Sequence, residues 1–417
     1  MTDAFGPVAA APGRRAPEVP STAADLRVAF VLGAASGGTA SHVAALAAGC
    51  QGAGLTVASF GPAPTRHLFG AGIAWTRVQI GNRPRPIGDA AAVLRLRSGL
   101  GAMRPDVVHA HGVRAGAFAA LALLGMRVPL VVTVHNAPPA GRVQALIYGV
   151  LERVCAQRAD LVLCASADLL TRMRRIRAAS TRAAHSSAAH SSAAHSSAAH
   201  SRPASSHAAR VEQFDVPALP ADPPGPAAIE AATAELAARG RPVVLAVGRL
   251  APQKGLDVLV DAAVRWRDRE PRPLTVIAGA GPLGAELTAQ AARAGADVQL
   301  LGARQDVPAL LTVADVVVVP SRWEARPLVV QEAMRAGCAI VASQVGGIPD
   351  LVGPDGAVLI PPDDPAALAA AVAAVLDDPG LAARLRRAAR AHAATFPSQK
   401  DAVQAAVTIY TRLATLP

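Results

Sequence analysis

Residues 315–352 read DVVVVPSRWEARPLVVQEAMRAGCAIVASQVGGIPDLV, and this stretch decides the fold. Its four valines, Val316–Val319, predict a short strand buried on both faces, which Pro320 ends. Pro327 suits the first turn of a helix, where a missing N–H costs nothing, so residues 328–337 predict a helix. A second apolar run follows and leads to a pair of glycines. Strand, loop, helix and strand in this order are typical of a parallel α/β sheet, whose ligands lie at the carboxyl ends of the strands.

Two glutamates in this stretch carry a resemblance to a known family. Glu324 follows the first strand and would lie at its carboxyl end. Glu332 borders the polar side of the predicted helix, where Arg335, three residues on, could pair with it. The wording E-A-R-P-L-V-V-Q-E, followed by A-M-R-A-G and V-G-G-I-P-D-L-V, resembles the two-glutamate motif of the family 4 glycosyltransferases. This motif is long and ordered, so it is much more specific than a lone glycine motif.

Two positions depart from the usual sequence of the family's motif. Arg326 stands where small or apolar residues are common, and Gln331 stands where an aliphatic residue is usual. These departures put the identity of the donor sugar in doubt more than the fold.

The composition favours two domains with cores of small aliphatic side chains. The chain has 417 residues, of which 52% are hydrophobic and only 3% aromatic. Its net charge of +11 indicates an anionic partner, which a nucleotide diphosphate, an acidic lipid surface or a nucleic acid would each provide. The basic clusters lack interleaved aromatic residues and match no nucleic-acid motif, so no nucleic-acid partner is expected.

The cysteines and the N-terminus indicate the compartment. Cys50, Cys155, Cys164 and Cys338 lie far apart in largely apolar segments, which predicts buried free thiols in a reducing cytosol. Residues 1–25 hold proline and acidic residues where a signal peptide needs an apolar core, so they predict a disordered tail. No membrane span is predicted. We expect a cytoplasmic protein and leave open a peripheral contact with the anionic inner face of a membrane.

A glycine-rich turn follows the first predicted strand, residues 26–32. Backbone N–H groups at Gly37 and Gly38, backed by the N-terminus of a helix, can receive an anion. A turn that only needs positive φ would have the same sequence. The full dinucleotide fingerprint is missing, which leaves little support for NAD.

Histidines cluster near the ends of two further strands. His109 and His111 alternate along one strand and so lie on the same side of it. A zinc pair is one interpretation, although no other ligand is nearby in sequence, and a core histidine is commoner for His109. D-V-V-H-A-H-G and the later P-L-V-V-T-V-H-N both resemble glycosyltransferase strands that border the sugar site. The resemblance therefore makes His111 and His135 candidate contacts of the sugar.

A low-complexity insert lies between the two predicted domains. From Ala183 the chain repeats A-A-H-S-S three times and then continues A-A-H-S. On a helix each histidine would turn by about 140° from the last, so the repeat forms no single face and predicts disorder. Short His-rich tracts can also bind metal. The family's usual proline-asparagine-glycine turn is not visible in the following V-E-Q-F-D-V-P-A-L-P, which leaves open whether domain closure follows the family's.

Two cations follow the first strand of the second predicted domain. Arg249 and Lys254 lie in and just beyond one strand-to-helix loop, where both can reach a single diphosphate beside a helix N-terminus. Two solvated loop charges are the alternative. The wording G-R-L-x-x-x-K-G-x-D resembles the phosphate-binding loop of the same family, which favours a function for both.

The resemblance implies an α/β fold with two Rossmann-like domains that face each other across a cleft, the GT-B type. The predicted domains are residues 26–168, for the acceptor, and 241–395, for the nucleotide sugar. Residues 169–240 are predicted to link them, and residues 396–417 to form a C-terminal helix that packs back on the first domain.

The resemblance also implies an activity, the retaining transfer of a sugar from a nucleotide-diphosphate sugar. Arg249 and Lys254 would hold the diphosphate and stabilise the charge that develops as it leaves. Glu324 would contact the hydroxyls of the donor sugar, and Glu332 the ribose. Arg249, Lys254 and Glu324 are therefore candidate catalytic residues.

The remaining candidate site residues are expected beside Arg249, Lys254 and Glu324. By the same resemblance, His111 would lie beside the reacting centre as a further catalytic residue. Gly37 and Gly38 would approach the phosphates, and Leu328 would complete the donor site. No D-x-D carboxylate pair stands at a strand end, so neither a metal nor another cofactor is expected beyond the donor substrate.

Several questions remain open at the level of sequence. The acceptor is a lipid, a small molecule or a growing polysaccharide. A sugar-nucleotide epimerase or a phosphorylase on the same architecture is an alternative, although neither Lys254 nor Lys400, the two lysines of the chain, has the context of a pyridoxal phosphate lysine. A catalytically idle protein that binds sugar nucleotides is an alternative from another class.

Overall fold

The computed structural model describes residues 26–33, 38–81, 83–138, 141–192, 210–218, 223–236 and 240–415, with side chains left undescribed at 181–192. The predicted tail, residues 1–25, lies outside these ranges, as do Gly37 and the later copies of the histidine repeat. Within them the chain forms two parallel sheets, of seven and six strands.

The first sheet has the strand order β3-β2-β1-β4-β5-β6-β7. Its strands are β1 (Arg27–Leu32), β2 (Thr56–Gly61), β3 (Ala74–Arg77), β4 (Val107–His111), β5 (Leu130–Val134), β6 (Leu161–Cys164) and β7 (Arg210–Gln213). Its helices are α1 (Gly38–Gly52), α2 (Pro86–Met103), α3 (Val113–Ala122), α4 (Arg142–Arg158) and α5 (Ala167–Ser192). Helices α2, α3, α4 and α5 pack on one another in that order and form one layer. The central strands β4, β5 and β6 are buried throughout, as expected for a sheet covered on both faces.

The second sheet has the order β10-β9-β8-β11-β12-β13. Its strands are β8 (Val243–Val247), β9 (Leu274–Ala278), β10 (Val298–Gly302), β11 (Val316–Val319), β12 (Ala339–Ser343) and β13 (Val358–Ile360). Its helices are α6 (Pro226–Leu236), α7 (Leu256–Ala263), α8 (Gly284–Ala294), α9 (Val307–Val313), α10 (Leu328–Ala336), α11 (Ile348–Val352), α12 (Pro365–Asp377) and α13 (Pro379–Ala393). Strand β11 has the predicted bounds and pairs with β8 and β12. Residues 315–352 therefore contribute a central strand of this sheet.

Part of the predicted linker belongs to the two domains. Leu169 and Met173 of α5 lie in the first core, and β7 pairs with β6 as the edge strand of the first sheet. The apolar side of α6, with Ala232 and Leu236, lies in the core of the second sheet. Helix α5 runs to Ser192 and so includes the first two copies of the histidine repeat.

The C-terminal helix α14 (Gln399–Ala414) crosses back to the first domain, which confirms the prediction. Ser398 and Asp401 form a capping box at its N-terminus. The helix packs on α1 and buries Tyr410 completely in the first core. The Tyr410 hydroxyl is 2.6 Å from Nδ1 of His109, so the last helix is bonded to a central strand of the first sheet.

The four cysteines are free and buried, as predicted. Among the helices of the described ranges, no single one is long and apolar enough to cross a membrane. The bent pair α12–α13 meets the length and composition criteria, but Leu368, Val372 and Leu385 of this pair lie in the core of the second domain.

Candidate active site

The second-domain part of the candidate site is centred on Lys254 and Glu324. Lys254 Nζ lies 2.5 Å from Oε1 of Glu324, and the same oxygen accepts a hydrogen bond from Ser321 Oγ at 2.8 Å. Glu324 is 6% exposed, and the side chain of Lys254 is 24% exposed. Charge-assisted bonds of this kind hold a carboxylate in a fixed position. The structure thus brings together two residues that the sequence places 70 positions apart.

Gly255 and two hydrogen bonds hold the loop that contains Lys254 against the loop that follows β11. Gly255 has φ +59°, and a Cβ there would lie 2.1 Å from the carbonyl oxygen of Pro320, so only glycine fits. Gln253 Nε2 donates to the Trp323 carbonyl at 2.8 Å, and the N–H of Arg322 donates to the Gln253 carbonyl at 2.8 Å. The loops that follow β8 and β11 are therefore fastened side by side.

Arg249 and Glu332 are two further predicted site residues of the second domain. Arg249 is exposed in the loop that follows β8, on the same loop as Lys254. Glu332 is half-buried on α10, and burial raises the pKa of its carboxyl while the nearby Arg335 acts in the opposite direction. Nη1 of Arg335 donates to the carbonyl of Ala218 at 3.0 Å.

The first-domain part of the candidate site contains His111 and His135 at the carboxyl edge of the sheet. Nδ1 of His111 lies 3.1 Å from Nε2 of His135, and the two rings stack with centroids 5.4 Å apart. Burial lowers the pKa of His111 well below its usual range and that of His135 to about 3, so both rings are neutral at pH 7. Nε2 of His111 has no hydrogen-bond partner among the described residues.

His109 is a core residue. Nδ1 of its ring bonds to Tyr410 and Nε2 lies 2.7 Å from Thr133 Oγ1, so both ring nitrogens are engaged. Its side chain is fully buried. The zinc pair of His109 and His111 is therefore not formed, and the described residues contain no group of three or more His, Cys, Asp or Glu side chains that could hold a metal ion.

His42 completes the histidine cluster and was missed by the sequence analysis. It lies on α1 with no exposed surface, and its ring centroid is 6.5 Å from that of His111 and 6.3 Å from that of His135. Neither of its ring nitrogens has a partner among the described residues, and burial lowers its pKa to about 4. Its position four residues after Gly38 on a helix that begins at the glycine-rich turn was the available signal.

The carboxyl edges of the two sheets face each other. A Cβ on Gly38 would lie 2.6 Å from Cδ1 of Leu328, so glycine lets the N-terminus of α1 approach α10. Trp323 Nε1 donates to Asp168 Oδ2 at 3.0 Å. A cavity of about 580 Å³ lies beside this last contact, lined by Asp168, Arg172, Arg175, Gly346 and Asp350 among others. Lys254 and Glu324 are not among its lining residues.

Arg326 and Gln331 contact the interdomain linker. Nη1 of Arg326 lies 2.9 Å from Asp215 Oδ1, and its guanidinium lies 5.6 Å from the Phe396 ring. Gln331 is fully buried and bonds to the backbone of Val216 and Ala218. Both departures from the family's motif therefore contact the predicted linker.

The fold and the two facing sheet edges define the class of protein. The structure resembles that of HepE of Anabaena in complex with UDP, with a TM-score of 0.71 at 21% identity over 94% of this chain and 100% of that chain. Two Rossmann-like domains with this topology form the GT-B fold of glycosyltransferases, as predicted.

Each domain of the chain is similar in sequence to known glycosyltransferases. Residues 37–185 match the glycosyl transferase 4-like domain, and residues 229–392 match the glycosyl transferases group 1. Both matched models describe glycosyltransferases, and one match falls on each domain. It is 39% identical to D-inositol 3-phosphate glycosyltransferase of Salinispora arenicola over 168 residues, 37% of this chain and 38% of that protein. It is 34% identical to glycogen synthase of Mycobacterium tuberculosis over 299 residues, 69% of this chain and 64% of that protein. The matches thus span less than two thirds of these relatives' length.

Proposed function

We propose that this protein is a retaining glycosyltransferase that transfers a sugar from a nucleotide-diphosphate sugar to an acceptor hydroxyl without a metal ion. The observation that carries the proposal is the pair Lys254 and Glu324, 2.5 Å apart on the edge of the second sheet that faces the first domain. The matches to glycosyltransferase models and the named activities of the relatives point to the same chemistry.

The pair gives a simple account of donor binding. Without a ligand, Glu324 neutralises Lys254. An incoming diphosphate carries more negative charge than one carboxylate and would compete for Nζ of Lys254 together with Arg249 of the same loop. Glu324 would then accept hydrogen bonds from hydroxyls of the donor sugar.

The same residues would assist the chemical step. The bond between the anomeric carbon and the phosphate oxygen breaks, and its electron pair goes to the leaving diphosphate. The acceptor oxygen bonds to the same face of the sugar, and its proton passes to the leaving diphosphate. Lys254 and Arg249 would stabilise the negative charge as it develops, which is the interaction that accelerates a reaction most. His111 Nε2 would border this centre from the first domain.

The test combines binding and turnover. The protein is heated with UDP, GDP, ADP and TDP in turn, since a ligand at a hundred times its dissociation constant adds about 2.7 kcal/mol to the free energy of unfolding. UDP is the first candidate because the HepE structure contains it. Sugars of the stabilising nucleotide are then offered with glucosyl, inositol phosphate and lipid acceptors, with and without EDTA.

The anomeric configuration of the product, from its proton NMR coupling, reports retention. Stabilisation by a diphosphate followed by EDTA-insensitive transfer with retention supports the proposal. Stabilisation without any transfer or donor hydrolysis identifies an idle sugar-nucleotide-binding protein. Inversion at the anomeric carbon, or loss of transfer in EDTA, contradicts the mechanism given above.

A further inference from the structure

The first domain has a solvent face with an unusual number of apolar side chains. Within the described ranges, the large hydrophobic side chains that are exposed lie on α2, α4 and the end of α3: Ile87 (90% exposed), Leu94 (66%), Leu121 (47%), Leu124 (44%), Val143 (69%), Leu146 (67%) and Val150 (49%). These helices are neighbours in one layer. Nη1 of Arg97 on α2 bonds to the carbonyls of Ala122 and Leu124 at 2.8 and 2.7 Å and so fastens α2 to the end of α3. We call this surface the outer face of α2–α4.

The exposed residues follow helical spacing. Ile87 and Leu94 are two turns apart on α2, and Val143, Leu146 and Val150 have the spacing i, i+3 and i+7 on α4. Other side chains of the same helices, such as Leu96 and Leu100 of α2, point into the core. Helices α2 and α4 therefore have one apolar side toward the sheet and a second toward solvent.

The charge on this face has one sign. Between residues 78 and 158 the chain has ten arginines, no lysine and three acidic residues. Each acidic residue is paired with an arginine: Asp89 with Arg114, Asp106 with Arg27, and Glu152 with Arg172. Five exposed arginines lie within four positions of an exposed apolar residue in the chain: Arg83, Arg85, Arg95, Arg142 and Arg153.

We propose that the outer face of α2–α4 docks on an anionic lipid bilayer. Apolar side chains between arginines suit the interface of a bilayer, where the apolar groups enter the headgroup region and guanidinium groups bind lipid phosphates. A symmetric dimer through this face would bring the same positive charges together. A soluble polyanion would satisfy the arginines and leave the apolar side chains in water.

The docked orientation has a consequence for the candidate site. The exposed residues Ile87 and Val143 are near the N-termini of α2 and α4, which follow the carboxyl ends of β3 and β5. His111 and His135 lie at that same edge of the first sheet. A docked molecule therefore has the first-domain side of its cleft at one end of its contact with the bilayer. Leu121 and Leu124, at the end of α3, extend that contact toward the opposite edge of the sheet. This consequence does not depend on the proposed transfer reaction.

The test is sedimentation of the full chain with vesicles of phosphatidylcholine, with or without roughly one third phosphatidylglycerol, at moderate salt. Two variants change the face: I87S/L94S/V143S/L146S removes apolar side chains, and R95Q/R142Q/R153Q removes charge. The variant R265Q/R293Q/R387Q removes the same charge from exposed positions of the second domain. Far-ultraviolet circular dichroism and thermal melting confirm that each variant is folded.

Binding to the anionic vesicles that weakens by about tenfold or more in both face variants, but not in the second-domain variant, supports the proposal. Failure of the unchanged protein to bind the anionic vesicles overturns it. Equal losses in the two arginine variants also overturn it, because total charge and not this face would then decide binding. Vesicle binding that the serine variant retains in full contradicts the proposal, because charge alone would then hold the protein on the vesicles and the apolar side chains would take no part in docking.

Discussion

The side-chain amide of Gln331 forms hydrogen bonds with the backbone of the linker at Val216 and Ala218. Its Oε1 accepts the Ala218 N–H at 2.9 Å, while its Nε2 donates to the carbonyl of Val216, also at 2.9 Å. One buried side chain thus satisfies two backbone groups of the linker. Glu332, the residue after Gln331 on α10, is the candidate ribose contact. The linker is therefore held directly beside a predicted donor-binding residue.

Replacing Gln331 by alanine is expected to lower the free energy of unfolding by about 2 kcal/mol. The change leaves two buried backbone groups unpaired, and an unsatisfied buried group costs about 1–3 kcal/mol. Urea denaturation measures the effect. The control is Gln157→Ala, an exposed position on α4. Equal losses in the two variants would show that the bonds to the linker contribute nothing.

Replacing Lys254 by alanine is expected to reduce transfer on the order of a hundredfold or more and to leave the protein folded. The residue lies in a loop, its side chain is partly exposed, and its charge is assigned to the diphosphate. Lys400→Ala is the matched control, because Lys400 is exposed and is the only other lysine of the chain. Steady-state kinetics and the thermal shift with nucleoside diphosphate measure the effect. Unchanged activity in Lys254→Ala would remove the diphosphate assignment.

Replacing Glu324 by glutamine separates sugar contacts from phosphate contacts. Glutamine keeps the size of the side chain and can still accept a hydrogen bond from Ser321, but it removes the charge offered to the sugar hydroxyls. We expect turnover to fall by about tenfold or more, while the free nucleoside diphosphate still stabilises the protein. The control is Glu286→Gln, exposed on α8. If the variant loses diphosphate binding as well, Glu324 acts by orienting Lys254 and the sugar contact is wrong.

The sequence predicted the elements whose signals are local. Val316–Val319 is apolar and β-branched and is followed by proline, and the strand has those bounds. Helix α2 begins at Pro86, and proline suits the first turn of a helix. Strand β7 is only four residues long, with Val211 its one buried residue, so its pattern was too short to predict.

Contacts between segments that are far apart in the chain could not be predicted from the sequence. Gln331 and its partner Ala218 are 113 positions apart, and nothing near Gln331 identifies the linker as its partner. His42 has no neighbouring motif of its own and is recognised only because the fold places its ring near those of His111 and His135. Lys254 and Glu324, by contrast, were predicted to act together because each stands in a family motif.

Acidification is expected to destabilise the protein through the buried histidine cluster. The pKa of His42 in the folded state, about 4, is below its value of about 6.5 in the unfolded chain, so the unfolded chain binds the proton between those values. The rings of His111 and His135 face His42, and their pKa values are lowered too. The free energy of unfolding therefore falls as the pH drops below about 6.5, and His42 alone contributes about 2 kcal/mol by pH 5.

Replacing His42 by leucine removes one of these sites and both of its unpaired ring nitrogens. We expect the loss of stability between pH 7.5 and pH 5 to shrink by about 2 kcal/mol, measured by urea denaturation at each pH. His67→Leu, at an exposed position outside the cluster, is the control. An identical pH dependence in the His42→Leu variant and the unchanged protein would mean that His42 takes up its proton in the folded state. Its position beside His111 and His135 would then have to accommodate a charge, and the neutral cluster described above would be wrong.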